Sequence, residues 1–105
     1  MASREIIATI NKYIALLNAE GIFVHKAFLF GSHSKDTAVE TSDIDVMIVA
    51  ENFDESDDLT AGKAWNLTRK VNTRIEPFLI GVDRFNKDTT SPLIDLVKSE
   101  GIQVF

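Results

Sequence analysis

The stretch GSHSKDTAVETSDIDVMIVA, residues 31–50, contains the features that decide the fold of this chain. It begins with a Gly-Ser pair, continues through a polar spacer, and ends in two aspartates that lead into an apolar run. The alternation from Asp43 to Ala50 is typical of a strand with two distinct faces. One face carries Ile44, Val46, Ile48 and Ala50, and the other carries Asp43, Asp45, Met47 and Val49. We therefore expect a buried strand that begins with two carboxylates on one face.

Patterns on either side of this stretch predict the remaining elements. Apolar residues at three- and four-residue steps predict a helix from Ser3 to Glu20, with Ser3 as N-cap and Gly21 just beyond its end. Branched and aromatic residues predict a strand from Ile22 to Phe30. The other expected elements are a loop or short helix at His33–Thr41, a loop at Glu51–Asp58, a helix capped by Ser56 and ending near Asn72, a strand at Ile75–Ile80, a helix capped by Ser91 from Pro92 to Ser99, and a strand at Ile102–Phe105.

The order of these elements predicts an α/β fold: a small mixed β-sheet with helices packed on it, in a single domain spanning residues 1–105. The first two strands lack a crossover helix long enough for parallel pairing, so we expect them to be antiparallel. Pro77 cannot donate to a ladder and places the third strand at an edge or next to a bulge. Trp65, at helical spacing from Leu59, is expected in the core.

Composition narrows the classes of function. The chain has 105 residues, a formal charge of −5 and no cysteine, which excludes disulfide scaffolds, thiol nucleophiles and cysteine-based zinc sites. The acidic balance argues against a broad nucleic-acid-binding face. The apolar runs are shorter than a membrane span, and the N-terminus lacks the pattern of a signal peptide. We therefore expect a cytoplasmic protein.

The two aspartates are the candidate metal ligands. Residues i and i+2 of a strand share a face at a spacing of roughly 6.8 Å, so their carboxylates can converge on one or two Mg²⁺ ions. Such pairs also arise by chance about two or three times in a chain this acidic, and the pair alone favours a solvated strand face. The apolar run that follows changes this interpretation, because like charges at the start of a buried strand need a compensating cation.

Two further pieces extend the candidate site. Gly31 permits close approach of the backbone to a phosphate, and Ser32 adds a hydroxyl donor; the alternative is an ordinary turn at a strand end. Glu76 on the third strand supplies a third carboxylate; the alternative is an exposed glutamate on an edge strand. His33 is interpreted as an exposed loop residue, and Arg69, Lys70 and Arg74 as a solvated basic group.

Together these residues resemble the nucleotidyltransferase superfamily related to DNA polymerase beta, and in particular its minimal prokaryotic branch. The resemblance rests on Gly31-Ser32, a spacer of about ten residues, Ser42-Asp43-Ile44-Asp45, the apolar strand, and Glu76 on a later strand. It covers nearly the whole chain. Asp36 stands where the family often has glycine, and Glu76 is longer than the usual aspartate.

The resemblance implies a nucleotidyltransferase-type fold and a metal-dependent transfer of a nucleoside monophosphate to a hydroxyl. Asp43, Asp45 and Glu76 would be the catalytic and metal-binding residues, with one or two Mg²⁺ ions as cofactor. Gly31, Ser32, Lys35 and Ser42 would bind the nucleotide, which is ATP or another nucleoside triphosphate. Small members of this branch commonly act as antitoxins that attach AMP from ATP to a HEPN-domain toxin.

Two rival functions remain open on sequence alone. In the first, the chain is catalytically weak or inactive and neutralises its partner by contact, and the departures at Asp36 and Glu76 are compatible with this. In the second, it modifies a small hydroxylated molecule. The absence of a second, helical domain in the 105 residues argues against the small-molecule acceptor.

Overall fold

A computed structural model describes residues 3–35, 38–39 and 42–105 of the chain. Its elements are α1 (Arg4–Ala19), β1 (Val24–Phe30), β2 (Ile44–Ala50), α2 (Asp58–Leu67), β3 (Ile75–Gly81), α3 (Val82–Lys87), α4 (Pro92–Glu100) and β4 (Ile102–Gln103). Two 3-10 turns, Gly31–His33 and Thr68–Lys70, follow β1 and α2. Within the described ranges, every helix is too short or too polar to cross a membrane.

The strands form one mixed sheet, as predicted, and their order in it is β3-β2-β1-β4. Strand β1 is antiparallel to both β2 and β4, whereas β2 and β3 are parallel. The parallel pair runs in continuous register from Ile44 opposite Ile75 to Ala50 opposite Gly81. Pro77 does not interrupt the pairing of β3 with β2, because β3 is an edge strand and has a neighbour on one side only. Of the two predicted placements, an edge or a bulge, the edge is confirmed.

The two faces of β2 lie in two separate apolar cores. Helices α1 and α2 cover the face that carries Ile44, Val46 and Ile48. Helices α3 and α4 cover the opposite face, where Met47 and Val49 pack with Phe85, Ile94 and Val97. The alternation expected along β2 is therefore confirmed. It also places Asp45 on the face covered by α3 and α4, since Asp45 shares the parity of Met47.

Local capping agrees with the sequence at three helix ends. The Ser3 hydroxyl accepts a hydrogen bond from the Ile6 N–H, and Ser91 accepts one from the Ile94 N–H. Gly21 ends α1 with φ +88°, a conformation that glycine adopts without the steric penalty of other residues. The cap expected for α2 was wrong by one residue: Asp57, not Ser56, accepts from Thr60 N–H, while the Ser56 hydroxyl donates to Asp54.

Two other expectations were wrong. Helix α3 was not predicted, because its 6 residues are too few to show helical periodicity. Trp65 is 50% exposed and Leu59 is 88% exposed, so neither lies in the core. Helix α2 packs through Ala64 and Leu67, and at about 100° per residue Leu59 and Trp65 lie roughly 140° and 100° away from Ala64 around the helix.

A single buried side chain joins the two helices on the first face. Tyr13 of α1 is fully buried, and its hydroxyl donates to the Ala64 carbonyl of α2 at 2.5 Å. Burial raises the pKa of the Tyr13 phenol far above its usual value, so the hydroxyl stays protonated and remains a donor. This contact fixes α2 against α1 at one point.

We expect Tyr13→Phe to lower the free energy of unfolding by about 1 kcal/mol, because the hydrogen bond is lost while the ring still packs. Tyr13→Ala should cost about 3–5 kcal/mol because it also leaves a cavity. Urea denaturation followed by circular dichroism measures both. Phe23→Ala is the control, since Phe23 is 55% exposed. A Tyr13→Phe variant as stable as the native protein would contradict the role of the hydroxyl.

Candidate functional site

Three carboxylates lie at one edge of the sheet, where β2 and β3 both begin. Asp45 and Glu76 are direct partners in the parallel register of these strands. Asp43 precedes β2 by one residue and Asp45 by two, so it shares the face of Asp45. On the other side, Asp45 is paired with Phe30, the last residue of β1. The structure therefore brings together the three acids singled out in the sequence.

The acids interact with one another directly. Burial raises the pKa of Glu76, and the negative charges of Asp45 and Asp43 and hydrogen bonds to both raise it further. Burial also raises the pKa of Asp45, Asp43 adds to this rise, and the hydrogen bond with Glu76 and the nearby His33 act in the opposite direction. The hydrogen bond between these two carboxyls raises the pKa of Glu76 and lowers that of Asp45, so Glu76 is the donor in it. Asp45 and Glu76 therefore hold protons to a higher pH than separated carboxyls do.

Gly31 is required by two features of this edge. Its φ is +72°, in the left-handed region that disfavours side chains. A Cβ atom added to Gly31 would lie 2.5 Å from the Asp45 Oδ2 atom. The glycine expected for a phosphate turn therefore also leaves the space that the Asp45 carboxylate occupies.

The turn after β1 carries the other predicted nucleotide-binding residues. Ser32 lies in the 3-10 turn Gly31–His33. Lys35 lies two residues beyond that turn, and its Nζ atom is 3.4 Å from a carboxylate oxygen of Glu100 in α4. The Lys35 and Glu100 side chains are each about half exposed. The Ser42 hydroxyl accepts a hydrogen bond from the Val39 N–H at 2.9 Å. Asp36, which departs from the family pattern, lies outside the described residues.

The interpretation of His33 as an exposed residue was wrong. The side chain is half-buried, and it lies close enough to Asp45 to lower the pKa of that carboxyl. Its Nε2 atom is buried and has no hydrogen-bond partner within the described ranges. No pattern in the sequence signals this burial, because it depends on the contact between the 3-10 turn and β2 in the folded chain.

Arg74 is a site residue that the sequence did not reveal. Its Nε–H donates to the Ser42 carbonyl at 2.9 Å, and its own carbonyl accepts from the Ile44 N–H at 2.8 Å. It was grouped with Arg69 and Lys70, both of which are exposed. Only its position two residues before Glu76 distinguishes it in the sequence.

The donor set fits a hard divalent cation. Three carboxylates offer only oxygen atoms, which Mg²⁺ prefers, and a positive charge between them would offset both the burial and the neighbouring negative charges that raise the pKa values of Asp45 and Glu76. Within residues 3–35, 38–39 and 42–105, no group of three or more His, Asp or Glu side chains is already arranged around a common point for an ion. The present hydrogen bonds between the acids use oxygens that an ion would take, so binding requires these side chains to turn.

Solved structures with similar folds come from nucleotidyltransferases and toxin–antitoxin systems. A protein from Sulfolobus solfataricus, provisionally identified as a nucleotidyltransferase, has a TM-score of 0.65 at 11% identity, covering 94% of this chain and 78% of that one. A toxin–antitoxin structure with AMP-PNP also has a TM-score of 0.65, at 22% identity, covering 94% and 72%. A mutant of the toxin–antitoxin MntA-HpeT has a TM-score of 0.61, again at 22% identity, covering 90% and 70%. At these identities the likeness establishes the fold.

A search of curated proteins found no match. The sequence model of the family described as "Polymerase beta, Nucleotidyltransferase" matches residues 11–105, a range that includes the glycine turn and all three acids. The arrangement of these residues and this match over nearly the whole chain lead to one conclusion: the protein belongs to the polymerase beta-type nucleotidyltransferase family.

Proposed function

We propose that this chain transfers a nucleoside monophosphate, AMP from ATP, to a hydroxyl group on a partner protein, and that it acts as the antitoxin of a HEPN-type toxin. The observation that carries this proposal is the meeting of Asp43, Asp45 and Glu76 beside Gly31. Membership of the nucleotidyltransferase family supports the reaction class. The toxin–antitoxin neighbours, one of which is a structure with AMP-PNP, support the nucleotide and the kind of partner.

The acids have distinct tasks in this reaction. Asp43 and Asp45 would hold one or two Mg²⁺ ions, and Glu76 would complete the set from the neighbouring strand. Bound there, the metal supplies positive charge for the triphosphate and for the oxygens of the transfer. Glu76 would also help to deprotonate the acceptor hydroxyl. The acceptor oxygen then bonds to the α-phosphorus, and the bond from that phosphorus to the pyrophosphate breaks.

The turn after β1 would hold the outer phosphates. Gly31 lets the backbone approach closely, and Ser32 and Ser42 contribute hydroxyl groups. Lys35 would leave Glu100 to pair with a phosphate. This exchange is easy because an ion pair between two half-exposed side chains contributes little stability.

A contact-only antitoxin is the competing function. It is favoured by one observation, namely that the described acids are not arranged around a common ion position. In that case the fold would serve as a binding module, and the carboxylates would have no part in neutralising the partner.

A labelling experiment distinguishes these two functions. We expect label to pass from α-³²P-labelled ATP to the protein encoded by the neighbouring gene when Mg²⁺ is present. Asp45→Asn and Asp43→Asn should reduce the rate by on the order of 100-fold or more, because metal-ion stabilisation supplies several kcal/mol and each 1.4 kcal/mol is tenfold. Asp83→Asn is the matched control, since Asp83 is exposed at the other end of β3.

Three results would decide the matter. Label that disappears only in the site variants supports the enzyme. Partner binding that survives those variants, with no label transferred by the native chain, would replace the enzyme with the contact-only antitoxin. Equal labelling by the Asp45→Asn and Asp83→Asn variants would show that the reaction does not depend on these acids.

The raised pKa values predict an unusual dependence of stability on pH. The folded protein holds protons on Asp45 and Glu76 that the unfolded chain releases near pH 4. Above that pH the folded state binds more protons, so these two groups make the free energy of unfolding fall as pH rises through their folded pKa values. Removing the charge by Asp45→Asn or Glu76→Gln should therefore stabilise the metal-free protein at pH 7 relative to the native chain.

Thermal unfolding at several pH values tests this prediction. The quantity to measure is the difference in Tm between the native and variant proteins, because other groups also change stability with pH. Asp88 is one of them: hydrogen bonds, first of all the one from the Thr90 N–H, hold its pKa at about 2, so its contribution to stability rises with pH. Mg²⁺ should raise the native Tm more at pH 8 than at pH 5, because it must displace these protons. If the native protein gained stability relative to Asp45→Asn as the pH rises, this would contradict the repulsion among the carboxylates.

A further inference from the structure

Arg74 binds both peptide groups that flank the α-carbon of Asp43. Its side-chain Nε–H donates to the carbonyl of Ser42, which belongs to the peptide group before Asp43, at 2.9 Å. Its main-chain carbonyl accepts from the N–H of Ile44, which belongs to the peptide group after Asp43, at 2.8 Å. Since the orientations of two successive peptide groups define φ and ψ of the residue between them, Arg74 restrains the direction of the Cα–Cβ bond of Asp43.

This support comes where the sheet gives none. The paired register of β2 and β3 begins at Ile44 and Ile75, so Asp43 lies one residue outside it. Asp43 is exposed. On the N-terminal side, the Ser42 N–H donates to the Val39 carbonyl, and the Ser42 hydroxyl accepts from the Val39 N–H. The Nε–H of Arg74 thus ties this hydrogen-bonded pair to the strand that carries Glu76.

The action of Arg74 is geometric rather than a matter of charge. The pKa values of Asp45 and Glu76 are moved by burial, by their neighbouring acids and, for Asp45, by His33. The guanidinium instead donates its Nε–H to the neutral Ser42 carbonyl, so only another donor in the same position could take the place of the Nε–H. A lysine keeps the charge but carries its single donor group at the end of a flexible chain, without the rigid fork of arginine.

We propose that Arg74 is a positioning residue of the acid site: its Nε–H, through the Ser42 carbonyl, holds the Cα–Cβ bond of Asp43 in a direction from which the carboxylate can turn to bind a divalent cation together with Asp45 and Glu76. This inference rests on the proposed function, because it assumes that the acids bind metal. It adds a specific residue that acts through the backbone and touches neither metal nor nucleotide.

Direct binding of Mn²⁺ to the full chain tests this role without an activity assay. Free Mn²⁺ is measured by electron paramagnetic resonance during titration of the native protein and of Arg74→Lys and Arg74→Gln. We expect both variants to bind Mn²⁺ about 10–100-fold more weakly, the range typical of partners that orient metal ligands. Arg69→Lys is the matched control, since Arg69 is exposed and precedes β3 in the same connection.

A double-mutant cycle separates positioning from general loss of structure. If Arg74 acts through Asp43, then adding Arg74→Lys to the Asp43→Asn variant should weaken Mn²⁺ binding by less than about twofold, since coupled sites are not additive. Full additivity of the two effects would overturn the proposal. Urea denaturation of each variant ensures that the affinities refer to folded protein.

The outcomes keep this inference distinct from the proposed function. Native protein that binds Mn²⁺, an Asp45→Asn variant that does not, and Arg74 variants of native affinity would overturn the role of Arg74 alone. A native chain that binds no Mn²⁺ would overturn the metal-dependent function and the inference together. Weakened binding in both Arg74 variants, with the Arg69→Lys control unchanged and the cycle non-additive, supports the inference.

Discussion

Repulsion among like charges is the constraint around which this end of the molecule is arranged. The parallel register places Asp45 directly beside Glu76, and Asp43 lies on the same face. Burial and the negative charges of neighbouring acids raise the pKa values of Asp45 and Glu76. A chain selected only for stability would place neutral side chains here. The arrangement is explained when a cation replaces the protons, because the negative charges that repel one another then all attract the ion.

The mixed sheet is what makes this arrangement possible. Because β1 and β2 are antiparallel, the end of β1 and its glycine turn lie beside the start of β2. Because β2 and β3 are parallel, both begin at that same edge. An all-antiparallel sheet in this strand order would place Glu76 opposite Val49 instead of Asp45, about 13 Å further along β2. The site therefore depends on one strand having an antiparallel neighbour on one side and a parallel neighbour on the other.

Close packing around the acids explains residues that otherwise look unremarkable. Gly31 both adopts a positive φ and leaves room for the Asp45 oxygen, so one small residue serves the turn and the carboxylate. His33 lies close enough to Asp45 to lower the pKa of that carboxyl. Arg74 supplies the bonds that the sheet cannot give to Asp43. Gly31 and His33 act from the turn after β1 and Arg74 acts from the connection before β3, which is why the site is sensitive to how these segments are joined.

The sequence by itself determined the parts that depend on local periodicity. The alternation along β2 predicted both faces of that strand, and capping residues predicted the ends of α1 and α4. The spacing of Gly31, Asp43 and Asp45, with Glu76 on the third strand, singled out residues that the fold brings together. Local patterns succeed here because side-chain direction along a strand or helix follows from backbone geometry alone.

Tertiary structure alone decided everything that depends on contacts between distant segments. It exposed Trp65 and Leu59, because α2 turns other residues toward the sheet, and it formed α3, which is too short to be recognised by period. It also half-buried His33 and directed Arg74 to a carbonyl 32 residues earlier in the chain. No local pattern encodes such a hydrogen bond, since its partners meet only after the strands have paired. The identities of the acids are thus written in the sequence, and their orientation is a property of the folded chain.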